Sequence, residues 1–165
     1  MLIDTFAPLV LNTGSRPETG LITRQWSTTV PASLAATFEF FSDASNLERL
    51  TPPWVNFRIR TPLPVAMRAG LEIDYRIVVR GLPIPWRTRI EVWEPGVRFV
   101  DRQLIGPYRW WWHTHEFEAV PGGTRVTDTV EFLPRLAWAT RGFVMQDVDR
   151  IFAFRAKTLG ELSWP

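Results

Sequence analysis

Apolar and polar residues alternate along most of this chain, and the period of the alternation separates strands from helices. In "LEIDYRIVV" (71–79), Leu71, Ile73, Tyr75, Ile77 and Val79 share one face, with Glu72, Asp74 and Arg76 opposite. "WRTRIEVW" (86–93) sets Trp86, Thr88, Ile90 and Val92 against Arg87, Arg89 and Glu91. A period of two predicts half-buried strands, because successive side chains point to opposite faces. "LITRQWSTTV" (21–30), "VNFRIRT" (55–61), "VRFVDRQL" (97–104), the stretch from 108 and "TRVTDTVEF" (124–132) also read as strands. The turns "GLPIP", "EPG", "IGP" and "PGG" join the later ones, which predicts an antiparallel sheet solvated on one face.

The period lengthens in two regions. "PASLAATFEFFSD" reads as a helix with Pro31 in its first turn and Leu34, Phe38 and Phe41 on one side. "DASNLERL" is a second short helix, with Asp43 as N-cap and "TPP" (51–53) as its stop. Near the C-terminus, Val144, Val148, Ile151, Phe152, Leu159 and Leu162 recur at three- and four-residue steps, the stripe of a long amphipathic helix. The order is one strand, two short helices, six strands and a long helix, an α+β layer arrangement.

Both histidines lie in "RWWWHTHEF" (109–117). Placing "PGG" at the hairpin tip aligns Phe117 with Val126, His115 with Asp128, His113 with Val130 and Trp111 with Phe132. This register keeps Val126, Val130 and Phe132 inside, and it puts Trp111, His113, His115 and Phe117 beside them. A slip of one residue would bury Thr127, Thr129 and Glu131 instead. On the preceding strand, Phe99 marks the inward face, which carries Asp101 and Gln103 with it. The interior therefore gathers Asp101, Gln103, His113, His115 and Asp128 among aromatic rings. Burying five such groups is costly unless they are paired or wet. A ligand-lined or water-filled cavity explains them.

Composition narrows the class. The 165 residues suit one domain, with residues 1–20 as an extension whose apolar part, Phe6 to Leu11, docks on it. Hydrophobic residues make up 45% and charged residues 22%, an ordinary globular balance, whereas aromatics reach 13% with nine Trp. The net charge of +2 comes with scattered Arg and no basic block, so no nucleic-acid partner is expected. Cysteine is absent, which excludes disulfides and thiolate chemistry. No run reaches the length of a membrane span, so no stable membrane insertion is expected and a cytoplasmic location fits. No metal and no cofactor are expected, although two His and a carboxylate are a known metal set. Trp93, Trp110 and Trp112 fall on the outer face and mark a possible homodimer surface, unless the N-terminal extension covers them.

The strings "FEFFSDASNLERLTPPW" (38–54), "RFVDRQLIGPYRWWWHTHEF" (98–117), "GGTRVTD" (122–128) and "RIFAFR" (150–155) resemble the SRPBCC, or START-like, superfamily, in particular its polyketide cyclase/dehydrase and lipid transport proteins. The resemblance covers residues 21 to 162. It implies a helix-grip fold, in which a curved seven-stranded antiparallel sheet wraps the C-terminal helix around a cavity. It also implies binding of a small hydrophobic molecule: a lipid, polyketide, isoprenoid or aromatic compound. The expected ligand-binding set is Tyr75, Trp86, Phe99, Asp101, Gln103, Trp111, His113, His115, Phe117, Asp128, Val148 and Phe152. A second reading makes the protein a cyclase or dehydratase, with His113 or His115 as general base and Asp128 orienting His115. Arg155 is a candidate partner for a carboxylate at the cavity mouth.

Overall fold

The computed structural model describes residues 14–79 and 81–164. The expected docking of Phe6 to Leu11 lies outside the described residues. Seven antiparallel strands form one curved sheet in the order β1-β7-β6-β5-β4-β3-β2, and a long helix packs across its concave face. The strands are β1 (Ile22–Val30), β2 (Arg58–Ile59), β3 (Glu72–Val79), β4 (Leu82–Glu94), β5 (Arg98–Ile105), β6 (Tyr108–Val120) and β7 (Gly123–Pro134). Helices α1 (Leu34–Ser42) and α2 (Leu47–Leu50) follow β1, and α3 (Ala137–Glu161) closes the chain. This is the helix-grip architecture.

The β6–β7 register is the one the apolar pattern demanded: Phe117↔Val126, His115↔Asp128, His113↔Val130 and Trp111↔Phe132. Three local expectations fail. The first helix starts at Leu34, because the Ser33 hydroxyl caps it by accepting from the Ala36 amide, and Pro31 stays outside. The expected strand 55–61 shrinks to Arg58–Ile59, because Pro53–Val55 coils into a 3-10 turn that ends at left-handed Asn56. "GLPIP" is not a turn. Leu82–Pro85 continue β4, with each proline facing β3 at the end of the sheet (Val78↔Pro83, Arg76↔Pro85).

A register irregularity between Ile90 and Val92 matters more. Two residues of β4 there face one of β5, which reverses the parity beyond it. Val92 turns away from the inner face that it was expected to share with Ile90. Trp93 now pairs with Phe99 and packs on it at 5.5 Å, and on Phe38 at 5.1 Å. The expected outer position of Trp93 is therefore wrong.

The interior divides into two apolar clusters. One, beneath α1, is built from Val30, Phe38, Phe41, Phe99, Phe117, Val126 and Leu159. The other lies toward the β3–β4 turn and is richer in Trp and Tyr. It contains Phe57, Ile77, Trp86, Trp111, Phe132, Val148 and Phe152, with Trp26, Tyr75 and Tyr108 against them. Helix α3 serves both, through Val148 and Phe152 at one end and Leu159 at the other.

Candidate functional site

Between the two clusters lies a knot of charge. Strand parity aims His113 and His115 of β6, Asp101 of β5 and Asp128 of β7 at one point, and the packed face of α3 brings Arg155 to meet them. His113 Nε2 donates to Asp128 Oδ1 at 2.9 Å, and His115 Nε2 donates to Asp101 Oδ2 at 2.9 Å. Arg155 Nη2 donates to Asp128 Oδ1 and to His115 Nδ1, both at 3.1 Å. Its Nε lies 3.0 Å from Asp128 Oδ2, in an ion pair off the hydrogen-bond line. Thr88 Oγ1 donates to Asp101 Oδ1 at 3.2 Å. The imidazole rings lie 3.7 Å apart, with Phe99 stacked on His115 at 4.1 Å and Phe152 edge-on to His113 at 5.2 Å.

The electrostatics follow from burial and pairing. Burial alone would raise the Asp128 carboxyl. The Arg155 guanidinium, the hydrogen bond from His113 and the nearness of His115 outweigh it and hold Asp128 well below the usual carboxylate range. Asp101 is lowered for a related reason: burial is overcome by the bond from His115 and the nearness of His113. His113 is lowered from its ordinary 6.5, first by burial and then by the neighbouring His115, against the pull of both carboxylates. The Tyr75 hydroxyl is raised, first by burial and second by the Asp101 charge.

This geometry limits the chemistry. Both nitrogens of His115 are engaged within the knot. His113 has one engaged, and its Nδ1 faces Asp101 Oδ2 at 3.5 Å. Asp101, His113 and His115 bring ligand atoms within 4.8 Å of one another, so these three residues could hold a metal ion. Asp128 contacts the other nitrogen of each imidazole at 2.9 Å, rather than orienting His115 alone.

The expected site residues separate into three groups. Asp101, His113, His115 and Asp128 form the knot. Phe99 and Phe117 lie in the cluster beneath α1 as packed core, and Phe38 and Phe41 fill the space around Phe117. Tyr75, Trp86, Trp111, Val148 and Phe152 belong to the Trp-rich cluster. Gln103 joins neither. It is fully buried, and its amide donates to Tyr108 O (2.9 Å) and accepts from Tyr108 N (3.3 Å), clasping the β5–β6 turn. Sequence reasoning passed over Trp26, which stacks on Phe152 at 4.0 Å, and Tyr108, which packs on Trp86 and Trp111. The parity of β1 carries Trp26, whereas Tyr108 turns inward against the parity of β6, through the register irregularity between Tyr108 and Trp110. The indole N–H of Trp86, like that of Trp110 on the convex face, is buried without a hydrogen-bond partner. The Tyr75 hydroxyl is close but not at hydrogen-bonding geometry. A recess of about 480 Å³ lies on the other face of β3 and β4, lined by Arg60, Asp74, Arg76, Pro83, Pro85, Arg87 and Ile105, with Tyr75 and Trp86 touching it.

On the convex face, Trp110 and Trp112 stack at 5.9 Å, but Trp110 is buried and lies under the Arg102 guanidinium at 4.9 Å. Arg102 donates to Gly14 O at 2.7 Å, and Arg16 pairs with Glu131 at 2.7 Å. Arg102 and Glu131 are the two cross-strand neighbours of Trp112. Residues 14–16 therefore cross this face, and the open Trp surface expected there is absent among the described residues.

No family model and no curated protein matches the sequence. Solved structures do match in fold. One, from Chromobacterium violaceum, has a TM-score of 0.70 at 16% identity, over 87% of this chain and 99% of that one. The Zhui aromatase/cyclase from a Streptomyces species has a TM-score of 0.68 at 16% identity, over 85% and 92%. Ara h 8.0201 has a TM-score of 0.62 at 19% identity, over 85% and 95%. The chain has the SRPBCC, or START-like, fold. No helix among the described residues is long and apolar enough to cross a membrane.

Proposed function

We propose that the protein binds a small hydrophobic molecule on the concave face, in the Trp-rich half of the interior. The observation that carries this reading is the unpartnered indole N–H of Trp86, buried in a box of Tyr75, Tyr108 and Trp111. Buried donors normally find partners, and a ligand acceptor would supply one here. Apolar walls with a few placed polar groups are the usual make-up of small-molecule sites. The charged knot forms the floor between the halves and fixes β5, β6, β7 and α3 relative to one another.

The cyclase or dehydratase reading is weaker. A general base needs a nitrogen free to meet substrate, and three of the four imidazole nitrogens are committed within the knot. Native mass spectrometry of the purified protein tests the binding reading, with a co-purifying apolar ligand as the expected result. Trp86→Phe keeps an aromatic ring and removes the donor together with part of the indole. It should weaken binding at least about fivefold, the worth of one hydrogen bond, with the fold intact. Protein that carries no ligand and binds none from a panel of lipids and polycyclic aromatics would sink the proposal.

A further inference from the structure

Helix α3 begins well before the core does. From Arg135 to Asp147 no residue is buried, and Val148 is the first that is. The overhang up to Phe143 is nevertheless apolar in composition, "RLAWATRGF" (135–143), and Val144 and Met145 beyond it pack against the core. Leu136, Trp138 and Phe143 stand 65%, 88% and 60% exposed, three of the seven large hydrophobic residues most open to solvent. A fourth, Leu82 at 59%, opens β4 at the same end of the sheet, where the β3–β4 and β5–β6 turns and the β7–α3 junction gather. Single exposed apolar residues are ordinary, but four at one pole are not.

The charge of this pole is one-sided. Segments 104–110 and 132–146 contain Arg109, Arg135 and Arg141 and no acidic residue. The first acids along α3 are Asp147 and Asp149. Both are half-buried, and Asp149 lies 3.5 Å from Arg24. Backbone strain points the same way. Leu136 holds a left-handed conformation (φ 50°) at the N-terminus of α3 with no side-chain cap, a position that a bulky side chain rarely takes. Such strain persists where the fold has a use for the side chain it displays.

We propose that this pole docks on an anionic lipid surface. Trp138, Phe143, Leu136 and Leu82 enter the headgroup boundary, and the arginines meet lipid phosphates. Trp, Phe and Leu beside Arg on a short helical overhang suit an interface, and the lack of acids in these two segments lowers the repulsion an anionic surface would impose. The contact is peripheral, since no described helix can span the bilayer. It is independent of the ligand site, because none of these residues belongs to the Trp-rich box.

Co-sedimentation of the full chain with vesicles tests this. Binding is expected to mixed phosphatidylcholine–phosphatidylglycerol vesicles, to weaken as salt is raised, and to be far weaker to phosphatidylcholine alone. Trp138→Ser with Phe143→Ser should abolish it at an unchanged melting temperature. Arg135→Gln and Arg141→Gln should each weaken it about fivefold. No binding by the intact chain, or binding that these variants leave unaltered, would overturn the proposal. So would a self-association that Trp138→Ser removes, which would assign the pole to a second copy of the chain.

Discussion

Asp128 stays charged at 5% exposure because three side chains converge on it. That makes the knot asymmetric toward mutation. Arg155→Met leaves a buried carboxylate uncompensated and should cost about 3–5 kcal/mol. Adding Asp128→Asn removes the charge that had lost its partner, so the double variant should be more stable than the single costs sum to, by at least about 1 kcal/mol. Urea unfolding of the four proteins measures this, and strict additivity would mean that the pair is not coupled. The knot also sets the pH dependence. His113 is depressed from 6.5, and Asp101 and Asp128 from 3.8, so all three bind protons more weakly folded than unfolded. Stability is then full at neutral pH. It falls as pH drops through 6.5 toward the folded value of His113, and falls again below about 4 as the carboxylates are protonated. Thermal melts of His113→Gln should be flatter than those of the parent between about pH 5 and 7. An unchanged slope would remove His113 from the explanation.

The strands show where period-two reading works and where it stops. The β6–β7 register was legible because placing "PGG" at the tip fixes the pairing, and a slip of one residue would have buried Thr127, Thr129 and Glu131 and turned Phe132 out. From that register came His113, His115 and Asp128 on one face, and inward Phe99 on the preceding strand brought Asp101 to them. Trp93 was misplaced because parity counting assumes unbroken pairing, and the irregularity between Ile90 and Val92 leaves no mark in an apolar pattern. Gln103 was misread for another reason. Its inward face was right, but its amide is spent on the Tyr108 backbone, a local bond invisible to periodicity. Arg155 was legible only as a candidate, since its depth depends on how α3 crosses the sheet. The Gln103 clasp makes its own prediction. A Cβ on Gly106 would overlap the Gln103 side chain, so Gly106→Ala should destabilise by about 1–3 kcal/mol. The same change should cost clearly less in a Gln103→Ala background. Equal costs in chemical denaturation would show that the β5–β6 turn does not need this close approach.

Across the whole molecule, the charged knot divides the interior into halves of different character. Rings fill the half beneath α1, where Phe117 meets Phe38 and Phe41 at 5.2 and 5.1 Å. The other half holds Trp and Tyr side chains with an unpartnered donor. If only the second half receives ligand, equal damage to the two must have unequal consequences. Phe152→Ala removes the ring stacked on Trp26 and faces the Trp-rich half, whereas Phe117→Ala opens the half beneath α1. Each should cost about 3–5 kcal/mol, the usual toll of a cavity left by a buried Phe. Fluorescence titration with an apolar dye such as anilinonaphthalene sulfonate, at a temperature where both variants are fully folded, separates them. Phe152→Ala should change dye affinity severalfold and shift its emission, because its cavity joins the proposed site. Phe117→Ala should bind as the parent does, because the knot of Asp101, His113, His115, Asp128 and Arg155 stands between its cavity and the ligand. Equal effects from the two would mean that the knot is no partition, and that the interior must be treated as one compartment.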